Sequence, residues 1–230
     1  MKAKKGQLEL PMPAPVYKGR GGRRPGAGRK KLEHPRGLPH RRRPFHEYDV
    51  PVHITWRVRS YLPSLRGFHL AAAIGSAIRA AMEDHERRRT SFRVIHFSIQ
   101  PDHLHLMIEA QNKTVLGNGM RALGVRIARA INRVLKRKGR VFHDRYHLSP
   151  LRCPTQVRIG IVYVLQNHKH HDPADTDVDP LSSARWFTGW EAPLRPPSTP
   201  PPVRRPRTWM ARGGWRQVGG PIRFSEEPAS

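Results

Sequence analysis

Acidic residues are scarce in this 230-residue chain: 17 Asp and Glu stand against 43 Lys and Arg, a formal charge of +26. An excess of that size concerns partners rather than fold. It points to a polyanion, because each phosphate neutralised by Lys or Arg releases condensed counterions. Cysteine is scarcer still. Cys153 stands alone, which excludes an internal disulfide framework and argues for a reducing compartment. Long apolar runs are missing as well. The most apolar stretch, Leu70 to Met82, has 13 residues and contains Arg79, too short to span a bilayer. Lys2, Lys4 and Lys5 are followed by no apolar block, so no secretory signal is expected. The expectation is a cytoplasmic protein that does not bind membranes.

A length of 230 residues suits one domain with long extensions, or two small domains. Residues 1–47 read as a basic, Gly/Pro-rich disordered arm. The first 43 residues hold 14 Lys and Arg against 2 Glu and show no apolar periodicity, so they cannot bury enough surface to fold alone. Within the arm, the segment from Arg20 to Lys31, including Arg23, Arg24 and Arg29, is similar to arginine-glycine-proline hooks that lie in A/T-rich minor grooves. The plainer reading is a solvated basic tail. Residues 171–230 return to low complexity: a Pro-rich tail, extended from Pro193 to Pro206, with a short Trp/Arg segment at 208–216 that can dock back on the core.

Residues 48–170 read as the folded domain. Val50 to Arg59 alternates, with Ile54, Trp56 and Val58 opposite His53, Thr55 and Arg57. Gly67 to Arg88 repeats apolar residues at helical spacing. Ser91 to Gln100 reads as a strand with Ile95, Phe97 and Ile99 on one face. A second strand follows the Pro101-Asp102 turn. A helix is expected from about Thr114 to Lys138, ended by Gly139, and a third from Thr155, as N-cap, to about Asn167. The order β-α-β-β-α-β-(α) predicts an α+β fold: a ferredoxin-like split βαβ with an antiparallel sheet and helices on one face. The other sheet face is left open to a ligand.

The chemistry centres on His103-Leu104-His105-Leu106-Met107-Ile108-Glu109. In a strand, His103, His105, Met107 and Glu109 share one face, and the imidazoles stand roughly 7 Å apart along the chain, close enough to grip one divalent ion. A third ligand and a nucleophile are then wanted. On the third helix, Asn167 lies one turn beyond Tyr163 and on the same face. That arrangement sets a phenol and an amide oxygen beside two imidazoles. An amide oxygen suits Mg²⁺ or Mn²⁺, and imidazole leans toward Mn²⁺ or later metals. A metal that polarises a phosphodiester would allow a tyrosine oxygen to attack phosphorus and keep the bond energy in a covalent intermediate. Tyr146 is the other candidate nucleophile. On the second helix, Arg126, Arg129, Arg133 and Arg137 form a basic stripe that either tracks phosphates or is a solvated face.

The ordered set of His103-Leu104-His105 on a strand, then Tyr163 and Asn167 on a helix, resembles the single-tyrosine HUH transposases, especially the REP-associated tyrosine transposases of bacteria. Val52 to Val58, Gln100-Pro101-Asp102 and Gly139 to Tyr146 agree with the resemblance, which covers residues 48–170. It implies cleavage and rejoining of single-stranded DNA, near hairpin-forming repeats, through a 5′-phosphotyrosine link, by a nucleoid-associated monomer or homodimer. By position, Tyr163 matches the nucleophile, and His103, His105 and Asn167 match the ligands of Mg²⁺ or Mn²⁺. Members often carry Asn-Pro after the tyrosine turn. Here the pair is Asn167-His168, followed by His170 and His171, which leaves the third ligand open between Asn167 and Gln166. Two other readings stay in view. One is a non-catalytic single-stranded nucleic-acid-binding protein on the same fold. The other is a zinc hydrolase with Glu109 as general base.

Overall fold

Val52, Ile54 and Trp56 alternate with His53, Thr55 and Arg57, and this period of two forms strand β1 (Val52–Arg57) with its apolar side chains buried. The computed structural model describes residues 50–170, 178–195 and 197–228. Arg23, Arg24, Arg29 and His171 lie outside the described residues, as does the side chain of His170. Helix α1 (Phe68–Arg87) follows, then β2 (Arg93–Ile99), β3 (His103–Glu109), α2 (Lys113–Val134), β4 (His147–Pro150) and α3 (Pro154–Gln166). The four strands form one antiparallel sheet in the order β2-β3-β1-β4. Because β3 lies between β1 and β2, the β1-α1-β2 unit is split, as the element order predicts.

One sheet face and the helices α1 and α2 enclose the main core. Val52, Ile54 and Trp56 meet Leu104, Leu106 and Ile108 from β3, covered by Ile74, Ile78 and Met82 of α1 and by Met120, Leu123 and Ile127 of α2. Asn112 caps α2, its Oδ1 accepting from Val115 N at 2.9 Å. Gly124 is required where α2 crosses β1, since a Cβ there would stand 2.3 Å from the Trp56 ring. That indole also stacks on Phe142, with ring centroids 3.8 Å apart.

Three local expectations are corrected. Ile95 does not share a face with Phe97 and Ile99. A bulge between Val94 and His96 inserts it as an extra residue, and it joins Met107 on the far face. Thr155 is not the N-cap of α3. Cys153 takes that extended position and Pro154 opens the helix, where its missing N–H costs nothing. Helix α2 stops at Val134 rather than at Gly139, because Lys136 adopts a left-handed conformation (φ 49°) just beyond it.

The opposite sheet face carries a second core, built from Ile95, Met107 and the α3 residues Val157, Ile161, Val164 and Leu165. The C-terminal segment completes it with Trp190, Trp215 and Ile222. The Trp/Arg segment docks back as a short helix α4 (Trp209–Arg212) and a 3₁₀ turn (Gly214–Val218). The tail is therefore more ordered than its composition suggests. Large indoles supply burial, while prolines lose little entropy on folding. Two carboxylates fasten it. Buried Asp179 accepts from Arg66 at 3.0 and 3.1 Å. Glu109 accepts from Arg207 N, Thr208 N and Thr208 Oγ1 at 2.8, 3.0 and 2.7 Å. Among the described residues no helix is long and apolar enough to cross a membrane.

Candidate active site

Strand β3 presents His103 and His105 on the face away from α1 and α2, and their Nε2 atoms stand 2.8 Å apart. Each imidazole is held by its other nitrogen. His103 Nδ1 is 2.6 Å from Asp102 Oδ1, and Arg57 Nε is 3.3 Å from the other Asp102 oxygen. His105 Nδ1 is 3.1 Å from His53 Nε2 and 3.3 Å from Thr55 Oγ1. The register explains these contacts: Thr55 lies opposite His105 and Arg57 opposite His103, and His53 is two residues from Thr55 along β1, on the same face.

The electrostatics follow the geometry. Burial pushes the His53 pKa down to about 4, helped by the charges of His147 and His103, so His53 is neutral near pH 7. Neutral His53 can accept the Nδ1 proton of His105. Burial acts to raise the Asp102 pKa, but the hydrogen bond from His103 and the charges of His103 and Arg57 outweigh it and hold the carboxyl below its ordinary value. A carboxylate against Nδ1 keeps the His103 proton there. In the neutral tautomers with both protons on the Nδ1 side, the two Nε2 lone pairs would face each other, an arrangement that one shared cation would stabilise. Two donors about 2.1 Å from one octahedral ion, at a right angle to each other, would be about 3.0 Å apart, close to the observed spacing. The pair therefore fits a metal. Among the described residues no group of three His, Cys, Asp or Glu side chains is placed to hold one.

Helix α3 stands over this face. The half-buried Tyr163 ring packs edge-on to His105 with centroids 5.0 Å apart, and 5.5 Å from His53. Asn167 is the buried C-cap residue of α3, and lies about 40° around the helix from Tyr163 at 3.6 residues per turn. Gln166 is engaged by the tail, its Nε2 donating to Arg223 O at 3.1 Å. Tyr146 is in the main core, edge-on to Trp56 at 5.5 Å, which removes it as a nucleophile beside the imidazoles. Glu109 is the tail's anchor at the far end of β3.

The basic stripe of α2 lies on the other side of the sheet from the histidines. Arg126 pairs with Asp84 of α1 at 3.0 Å, whereas Arg129 and Arg133 are exposed. His53, Thr55 and Asp102 contact the imidazole pair, and sequence reasoning gave none of them a part in the site. Their signal was the shared parity of His53 and Thr55 with the histidine face, and the adjacency of Asp102 to His103.

An open antiparallel sheet with paired imidazoles beneath a tyrosine-bearing helix defines an α+β protein of the split βαβ class. The sequence profile of the IS200-like transposases matches residues 47–161, which is 115 of 230 residues. The chain belongs to that family. The matched span includes His103 and His105 and ends two residues before Tyr163. Among solved structures, the chain is similar to a REP-associated tyrosine transposase bound to a REP hairpin: 15% identity, 59% of this chain and 75% of that one, TM-score 0.44. It is also similar to a candidate transposase from Deinococcus radiodurans: 15% identity, 51% and 85% coverage, TM-score 0.35. None of the curated proteins compared with it matches significantly.

Proposed function

We propose that this protein cleaves and rejoins single-stranded DNA beside hairpin-forming repeats, with Tyr163 as nucleophile and His103, His105 and Asn167 as ligands of Mg²⁺ or Mn²⁺. The observation that carries this reading is the packing of the Tyr163 ring against His105, whose Nε2 converges on that of His103. The metal would polarise the scissile phosphate and stabilise charge developing on it. Tyr163 Oη attacks phosphorus, forming an Oη–P bond as the P–O3′ bond breaks. The phenolic proton balances the one gained by the departing 3′-hydroxyl. Attack by a 3′-hydroxyl on the phosphotyrosine reverses the step and joins ends without ATP. Asp102 orients His103, while His53 and Thr55 orient His105.

The test is incubation of the full chain with hairpin-flanked single strands and Mn²⁺, followed by mass spectrometry of tyrosine-linked nucleotide. The wild type yields an adduct on Tyr163, and Tyr163→Phe yields none. An adduct that persists in Tyr163→Phe removes the nucleophile assignment. Binding that survives EDTA, with no cleavage in any metal, favours the non-catalytic binding protein.

A further inference from the structure

At the end of β3 remote from His103, the tail segment 204–208 runs beside edge strand β2, Arg204 N donating to Val94 O at 2.9 Å. Two adjoining cavities of about 300 and 570 Å³ open there, sharing Arg89, Arg93 and Arg207 in their walls. Arg204 and Arg205 line the larger one. The carboxylates lining these cavities are already engaged. Glu86 pairs with Arg204 at 2.6 Å, and Glu109 takes the tail amides and lies 3.8 Å from Arg93 Nε. Arg89, Arg205 and Arg207 are exposed and pair with no carboxylate among the described residues.

Burial lowers the Arg93 pKa, and the charges of Arg207 and Arg204 lower it further against the opposing pull of Glu109 and Glu86. Cations crowded in this way gain from an added anion. Guanidinium forks match phosphate oxygens two at a time. Trp209, 59% exposed, directly follows this segment at the start of α4, and an exposed indole beside a cationic cleft suits a nucleic acid better than free phosphate.

We propose that the Arg89, Arg205 and Arg207 cleft is a second seat for the DNA phosphate backbone, separate from the strand-cleaving site. Glu109 lies six residue steps along β3 from His103, about 20 Å at 3.3 Å per residue. The cleft therefore holds a stretch of backbone several nucleotides from the phosphate under attack. This inference rests on the reading of DNA as substrate.

The experiment measures affinity of the full chain for DNA across a salt series, with Arg89→Asn, Arg205→Gln and Arg207→Gln combined. Asn suits the left-handed backbone at Arg89 (φ 52°). Each phosphate contact contributes about 0.9 to the slope of log K against log salt on duplex, and about 0.7 on a single strand. Three lost contacts lower the slope by about 2 to 3, so the wild-type advantage shrinks about 20- to 40-fold between 50 and 200 mM salt. A loss confined to hairpin DNA identifies the stem as occupant; an equal loss on a stemless strand identifies the single-stranded flank. An unchanged slope on both overturns the proposal.

Should the triple variant unfold, the exposed single change Arg205→Gln reads one contact, and Arg205→Lys retains the slope. Tyr163→Phe leaves the cleft intact, so a wild-type slope in that variant, with the adduct lost, separates this proposal from the one on strand cleavage. A fallen slope in the arginine variant without any wild-type adduct upholds the cleft and defeats the strand-cleavage reading.

Discussion

Acid should loosen this fold through His96. The side chain is 7% exposed on β2, where Phe187 packs edge-on with centroids 5.3 Å apart and Ser183 Oγ is 3.4 Å from Nδ1. Burial alone pushes its pKa from 6.5 down to about 4. The folded value is depressed, so the neutral ring stabilises the native state fully above pH 6.5, and that contribution is lost as pH falls toward 4. A shift of 2.5 units corresponds to about 3.4 kcal/mol, of which about 1.4 is lost by pH 5.5 and about 2.5 by pH 4.5. The perturbation is His96→Leu. Leucine occupies a similar volume, and Ser183 Oγ keeps its contacts with Phe97 N and O at 3.0 and 3.4 Å, so no buried hydroxyl is orphaned. Urea unfolding at pH 7.5, 5.5 and 4.5 is the assay. His53, also pushed down to about 4, adds to the acid loss in both proteins and cancels in the difference. The variant should lose about 2.5 kcal/mol less than the wild type between pH 7.5 and 4.5. Parallel stability curves over that range would refute the argument.

Two other perturbations test different joints of the structure. Trp215, 2% exposed in the second core, should cost about 3–5 kcal/mol when changed to Ala, which calorimetry would record as a Tm drop of roughly 6–20 °C for a chain of this size; a drop below about 2 °C would mean that the tail adds little to the core. Asp102→Asn removes the carboxylate that holds His103 Nδ1 and should weaken Mn²⁺ binding about 10- to 100-fold by titration calorimetry, whereas unchanged affinity would deny Asp102 an orienting part.

The elements that sequence resolved are those with one dominant period. HLHLMIE alternates apolar and polar over most of its length, so the histidine face was legible without coordinates. Helical spacing likewise set Tyr163 and Asn167 on one side of α3. Val94 to Phe97 fails this logic, because apolar residues on both faces leave a bulge as easy as regular pairing. His53 was legible as a residue of the right face but not as a partner of His105. That contact depends on the register of β1 against β3, which apolar alternation does not fix. Arg126 illustrates the same limit on a helix. Its spacing matches the stripe, yet Asp84 of α1 claims it, and only the packing of α1 on α2 reveals the pair.

The C-terminal segment has a part that composition concealed. The family match ends at residue 161, before Tyr163, and α3 has an apolar side that the sheet alone does not cover. Val157, Ile161, Val164 and Leu165 are buried together with Trp190, Trp215 and Ile222 from the tail. Three polar ties reinforce this: Gln166 Nε2 and Lys169 Nζ donate to the carbonyls of Arg223 and Phe224, and Arg158 pairs with Glu226 at 2.6 Å. These contacts fix the rotation of α3 about its axis, and that rotation decides whether Tyr163 points at His105 or away from it. A turn of one residue, about 100°, would carry the phenol off the histidine face. The tail thus helps to hold the helix that carries Tyr163 beside His105.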